Sequence, residues 1–364
     1  MRPSLTLFLY LSRHYLIGLF IVFAVLTILG LTLDAVELLR RSAGRPEVGF
    51  DRVMVMALLK LPDLSQRLLP FAVLIGGMLS LQRLTRSQEL VVARAAGVSV
   101  WQFLAPGLAL VLLLGTFVVT VYNPIASVLV SRYEELEAKY LKRRTSLLAV
   151  SDNGLWLRDV DADGQVVIHA LRVAKQGVEL SDAILLFYRG NDRFANRIDA
   201  RTARLTEGFW ELDDVLITGP EQTPVMRPQL RVRTALTIDR IQDSFASPET
   251  LSFWALPDFI ASMERAGFSA LRHRMHWHAL LAAPFALMAL VLVAAPFGLR
   301  AARRGGTGLL LASGVIVGFL LHFFSDVIYA FGESGEIPVL LAAWSPPLIS
   351  TSLGLAMLFY IEEG

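Results

Sequence analysis

At 364 residues, with 54% hydrophobic and only 18% charged side chains, the chain is too apolar for an ordinary soluble enzyme and falls in the membrane class. Its net charge is only +2 and its arginines are scattered, which excludes a basic stripe for nucleic acid. It has no cysteine, so neither a disulfide nor a cysteine metal site can form.

A bilayer core about 30 Å thick needs roughly 20 apolar residues per helix. The first run that qualifies is Tyr15–Leu33, preceded by Arg13 and His14. No small-residue cleavage site follows it, so it reads as a retained helix rather than a signal peptide. The second is interrupted. Val53–Leu59 and Leu68–Leu81 are apolar, but Lys60, Asp63, Gln66 and Arg67 stand between them. Two readings are equally open: an interfacial segment leading into a span, or one long helix kinked at Pro62 and Pro70. Trp101–Tyr122, Trp277–Phe297, Gly308–Phe331 and Val339–Ile361 are each long enough to span.

Between the second and third runs, Arg83–Ser99 predicts a short amphipathic helix. Ser87 suits its cap, Leu90, Val91, Ala95 and Val98 follow a helical spacing, and Gly97 suits its end. Such a helix either lies flat on lipid or docks into a cytoplasmic motor, with Glu89 and Arg94 presented to it.

The block Ser131–Arg274 holds 20 of the 34 Lys and Arg and 21 of the 32 Asp and Glu, so it faces water. Leu155–Val160, Gln165–Val173, Ala183–Tyr188, Ile198–Leu205, Phe209–Thr218 and Gln229–Ile238 alternate at period two. Asp163-Gly164, Gly190-Asn191 and Gly219-Pro220 supply turns. Short strands with no long helix between them predict a sandwich or open jellyroll. Leu251–Phe268 then reads as a helical connection back to the membrane.

Six spans place both termini on one side. That side carries Arg2, Arg13, Arg83, Arg86, Arg94, Arg300, Arg303 and Arg304; the other carries only Arg40, Arg41, Arg45 and Arg52 in its short loops. The richer side is cytoplasmic by the positive-inside bias, which puts the polar block in a periplasm-like space. The expected fold is an α-helical membrane protein with six transmembrane helices and an inserted all-β periplasmic jellyroll-like domain. Residues 1–130 would hold helices one to three, with a coupling helix near 86–99. Residues 131–250 would form the β domain, 251–275 the connection and 276–364 the last three helices.

Two clusters invite chemistry and favour a structural reading. His273, His276 and His278 lie where the chain re-enters the membrane, without a nearby carboxylate in sequence, and read as an interfacial group rather than a metal site. Asp326 inside the fifth span reads as a buried group bonded to His322 one turn earlier, ahead of a transport role. No Ser-His-Asp or paired-carboxylate arrangement stands out, so no catalytic residue is assigned.

Several stretches together resemble one family. Ser87–Ser99 reads SQELVVARAAGVS, Leu61-Pro62 precedes Leu69–Gly76, Gly154–Arg158 reads GLWLR, and Phe331–Pro338 is followed by Ala342–Pro346. In this order they resemble the lipopolysaccharide-export permease family (LptF/LptG) along the whole chain. Leu33–Arg41 resembles the LptG branch, with Glu37 in the acidic place and Arg40 and Arg41 as the basic pair; Asp34 departs from members that carry a basic residue there.

The resemblance implies the membrane half of an ABC transporter, with no cofactor bound by this chain. ATP and Mg would be used by a dimeric LptB-like cytoplasmic ATPase. This agrees with the lack of a G-x-x-x-x-G-K-[ST] loop. Other implied partners are an LptF-like sister permease, an LptC-like single-span protein, a periplasmic jellyroll bridge and lipopolysaccharide itself. Arg86, Ser87, Glu89, Leu90, Arg94 and Gly97 would couple to the ATPase. Arg40, Arg41 and Arg132 would contact the lipid A phosphates, assisted by Arg45 and Arg52, since guanidinium forks suit phosphate. The alternative is that these arginines snorkel to ordinary headgroups. A rival of another class is a membrane-anchored adaptor or sensor whose β domain binds a protein.

Overall fold

The computed structural model describes residues 5–43, 48–142, 148–151, 154–161, 164–174, 179–189, 193–220, 222–234, 236–237, 246–265, 268–299 and 307–363. Arg2, Arg45, Arg300, Arg303 and Arg304 of the charge count lie outside the described residues, as do Asp163, Gly190, Asn191 and Ile238. The chain divides into a helical unit, Met1–Lys142 with Glu249–Trp254 and Arg274–Gly364, and a second unit, Arg143–Pro248 with Ala255–His273.

The helical unit contains α1 (Leu5–Ser42), α2 (Phe50–Arg86), the short α3 (Glu89–Ala95), α4 (Val100–Phe117) and α5 (Asn123–Glu137). After α6 (Leu256–Arg265) of the second unit come α7 (Leu271–Leu299), α8 (Thr307–Ser334) and α9 (Val339–Glu363). Among the described residues, six helices are long and apolar enough to cross a membrane, with α4 and α5 joined in one of them. α2 resolves the reading left open by the sequence: it is one continuous helix, with Pro62 and Pro70 inside it.

The third span runs further than its apolar stretch. A π turn at Val118–Tyr122 joins α4 to α5, and the helix continues to Glu137. Arg132, expected just beyond helix three, therefore lies on α5. The extension is held because Tyr133 packs with Leu38, Val53 and Met56, and Leu136, Tyr140 and Leu141 join the same cluster. A π turn leaves carbonyls without their usual helical partner. Here the Trp254 indole Nε1 donates to the Thr120 carbonyl at 3.1 Å, and the Phe253 amide donates to Asn123 Oδ1 at 2.8 Å.

α1 and α2 approach closely because both are small at their crossing. A Cβ on Gly76 would lie 2.7 Å from Leu19 Cα, so only glycine fits. Ser80 Oγ lies within hydrogen-bonding distance of the carbonyls of Gly76 on its own helix, at 2.7 Å, and His14 on α1, at 3.1 Å.

The second unit is a seven-stranded antiparallel sheet in the order β1 to β7, each strand pairing with its sequence neighbours. The strands are β1 (Leu148–Ser151), β2 (Gly154–Asp161), β3 (Gly164–Ala174), β4 (Glu179–Arg189), β5 (Arg193–Thr206), β6 (Phe209–Gly219) and β7 (Gln222–Arg233). The expected inserted all-β domain is thus present, with its strands connected as a meander. One face is apolar by alternation: Leu157, Ile168, Leu185 and Ile198 lie opposite one another across four strands. All four are buried, as are Leu180, Ala203, Leu212 and Trp210 further along that face.

A row of broken pairing crosses this sheet. Asp182, Arg201, Asp214 and Pro228 lie opposite one another, and none is paired in the ladder. Asp182 and Asp214 hold φ of 54° and 51°, a left-handed conformation that interrupts a strand. The row is a crease from β4 to β7, braced by Arg201 Nη2 against Asp214 Oδ2 at 2.7 Å. The Thr234 hydroxyl, just past β7, donates to the buried Asp159 of β2 at 2.6 Å, so the sheet coils toward itself. α6 adds Leu256, Ile260 and Met263 to the buried residues of this unit.

Gly76→Val should drive the added side chain into the α1 backbone and destabilise the helical unit by about 1–3 kcal/mol. Thermal unfolding in detergent, followed by tryptophan fluorescence, checks this; a midpoint equal to the parent's would contradict the close-approach account.

Candidate functional site

Three groups of polar residues stand out against the apolar helices. The first lies at the C-terminal end of α1. Glu37 accepts from Arg40 Nε at 2.8 Å and Nη2 at 3.0 Å, and from Arg41 Nε at 2.9 Å. Arg41 also reaches Glu137 on α5 at 3.5 Å, and the Tyr133 hydroxyl donates to the same carboxylate at 3.3 Å. Both arginines remain exposed to more than half. The two guanidinium groups expected to be available to an anion are therefore already engaged by one carboxylate. An arriving phosphate would compete with Glu37 for them. Arg132 pairs on its own helix with Glu135 at 3.2 Å, and Arg52 lies over the Tyr140 ring at 4.9 Å.

Beside this group sits a pair that the sequence reading did not join. Lys60 of α2 forms a salt bridge with Asp34 of α1, and its ammonium lies 5.6 Å from the Tyr133 ring centre. An isolated charge in hydrocarbon is costly, so two opposite charges inside apolar helices are held most cheaply as a pair. That cost was the available signal: Asp34 and Lys60 are each anomalous in an apolar run.

The second group lines a cavity of about 520 Å³ within the helical unit. Its apolar wall includes Phe71, Leu74, Val118, Leu287, Leu290 and Leu321. Its polar lining includes Asp63, Arg67, His276, His322, Asp326 and Glu333. Asp63 is paired to Arg67 at 3.0 Å. Asp326 was expected to be a buried group bonded to His322. It lines the cavity with a side chain 62% exposed, and 3.8 Å separates it from the imidazole. The His322 ring instead stands edge-on to Phe71 at 4.9 Å. His273 bonds the Ala246 carbonyl at 3.0 Å while His276 lines the cavity. Among the described residues no three His, Asp or Glu are grouped to hold a metal ion.

The third group is the turn around α3. The sequence placed Ser87 at the helix cap. Instead Gln88 is the N-terminal cap residue, with φ of 64°, and Ser87 ends α2. Ser87 Oγ donates to Glu89 Oε1 at 2.9 Å. Glu89 Oε2 accepts from the Tyr10 hydroxyl of α1 at 2.8 Å, a contact with no sequence signal. Glu89 is therefore turned toward α1 rather than outward. Leu90 is buried with Leu11, Leu84 and Phe103, which locks α3 to the bundle. Val91, Val92, Arg94 and Ala95 are exposed, and so is Arg86. Gly97 closes the helix at φ of 83°, with the Val98 amide donating to the Ala93 carbonyl.

The Asp34–Lys60 pair gives a direct test. Lys60→Met should leave Asp34 uncompensated and cost roughly 3 kcal/mol, whereas Lys60→Met with Asp34→Leu should recover most of it. Thermal unfolding of both variants in detergent measures the difference, and equal losses would contradict the pairing.

Comparison with known proteins places these features in one family. A family model described as "Lipopolysaccharide export system permease LptF/LptG" matches residues 9–360. The lipopolysaccharide export system permease protein LptG of Escherichia coli (strain K12) is 26% identical over 318 residues, covering 84% of this chain and 82% of that protein. LptG of Haemophilus influenzae is 22% identical over 361 residues, covering 94% and 95%.

Proposed function

Because the chain belongs to the LptF/LptG family and is a permease subunit of lipopolysaccharide export, we propose that it is the membrane half of an ABC transporter driven by ATP hydrolysed on another chain. The motor would be a dimeric LptB-like ATPase that uses ATP and Mg. The other membrane partners would be an LptF-like sister permease and an LptC-like single-span protein. The transporter would draw lipopolysaccharide from the bacterial inner membrane and pass it to a periplasmic jellyroll bridge. In that setting the termini and α3 face the cytoplasm, in keeping with the arginine bias, and the sheet faces the periplasm.

One observation carries this reading. α3 is locked to the bundle through Leu90, yet it leaves Val91, Val92 and Arg94 exposed, which is the form of an element gripped by a separate motor. The chain has no phosphate-binding G-x-x-x-x-G-K-[ST] loop of its own.

The substrate sets the remaining demands. A buried methylene is worth about 0.8 kcal/mol, so one twelve-carbon acyl chain is worth roughly 10 kcal/mol, and several cannot enter water together. The apolar wall of the helical cavity supplies surface that acyl chains can use. Arg40 and Arg41 supply bidentate donors for phosphate, with Glu37 holding them until the phosphate arrives.

Affinity purification from cells that express the whole system tests the assignment. The chain should bring down an ATPase dimer and one sister permease in fixed ratio. Recovery with a periplasmic protein but no ATPase would instead support an anchored adaptor.

A further inference from the structure

We propose that Tyr10 is a positioning residue that ties the motor-docking helix α3 to α1 through Glu89; this rests on the permease reading above. Glu89 opens α3 and sits directly after Gln88, the single left-handed residue that separates α3 from α2. That junction is a natural pivot, since only Ser87 and Gln88 stand between the two helices. Glu89 spends one oxygen on Ser87 next to the pivot, and the other on Tyr10 of α1, 79 residues away in sequence. Any rotation of α3 about Gln88 therefore pulls on, or breaks, its bond to α1.

α1 is suited to carry such a pull. It is one helix from Leu5 to Ser42 with no proline in it. Tyr10 and Arg40 are 30 positions apart on it, about 45 Å at 1.5 Å per residue. Its far end bears the Glu37–Arg40–Arg41 group, the expected phosphate site. A displacement at Tyr10 thus reaches the substrate's charged end along one continuous helix. Tyr10 is also held in place sideways, its ring 4.4 Å from that of His14. Substitution of the hydroxyl alone leaves this ring contact intact.

The test uses the complete complex in proteoliposomes loaded with lipopolysaccharide. Tyr10→Phe should lower lipopolysaccharide released per ATP hydrolysed by about two- to tenfold, the range expected for one hydrogen bond, with assembly unchanged. Glu89→Gln keeps the acceptor and should retain most coupling. Glu89→Ala should match Tyr10→Phe, and the double variant should be no worse than either single one. A structural role alone would alter yield or thermal midpoint but leave release per ATP at the parent value, and that result overturns the proposal.

A second arm needs no motor. The chain has no cysteine, so Leu9→Cys with Val92→Cys gives one spin-label pair on exposed positions of α1 and α3. The label distance should be narrow in the parent and broaden with Tyr10→Phe. An unchanged distribution overturns the proposal even in the absence of an ATPase. If the parent complex itself shows no ATP-driven release, the permease reading fails instead.

Discussion

Hydrocarbon offers no hydrogen bonds, and this constraint accounts for most of what the helical unit does. Every peptide group within the membrane must find its partner inside the protein. Long helices meet the demand by themselves, and the exception proves informative. The π turn at Val118–Tyr122 is met by the Trp254 indole and stands next to Asn123, which takes the Phe253 amide. Charges obey the same rule. Asp34 meets Lys60, Asp63 meets Arg67, and Glu37 gathers two arginines. Each of these charges is answered by one of opposite sign.

The same constraint, applied to the cargo, explains why such a chain needs an apolar wall among its helices. The sheet obeys it in its own way, its alternation segregating Leu157, Ile168, Leu185 and Ile198 to one buried face. Its crease at Asp182, Arg201, Asp214 and Pro228 lets a single meander bend without a second sheet. Two aspartates can occupy that row because Asp tolerates the left-handed conformation better than bulky or branched residues.

What the sequence revealed follows from how far a signal reaches along the chain. Apolar runs are local, so the spans could be read, and period-two alternation located six strands. β1 has only four residues, too few to show a period. The expected last strand began only at Gln229, whereas β7 begins at Gln222 and contains Pro224 and Pro228, which an edge strand tolerates. The polar turns of α5 hid a helix that packs Tyr133 and Leu136 against its neighbours. Arg40 and Arg41 could be found as a basic pair, but their capture by Glu37 needed side-chain geometry. Lys60 with Asp34 and Tyr10 with Glu89 join residues 26 and 79 positions apart, beyond any local pattern.

On the proposed function, lipopolysaccharide passes through the helical unit of this chain under the control of a motor on another chain. A photoreactive residue placed at Phe71, on the cavity wall, tests it most directly, with Leu113, an exposed position outside the cavity lining, as the control. In the reconstituted complex, lipopolysaccharide adducts should form at position 71 and not at 113, and ATP should deplete them. Equal labelling at both positions, or labelling at 71 that ATP leaves unchanged, would contradict the account.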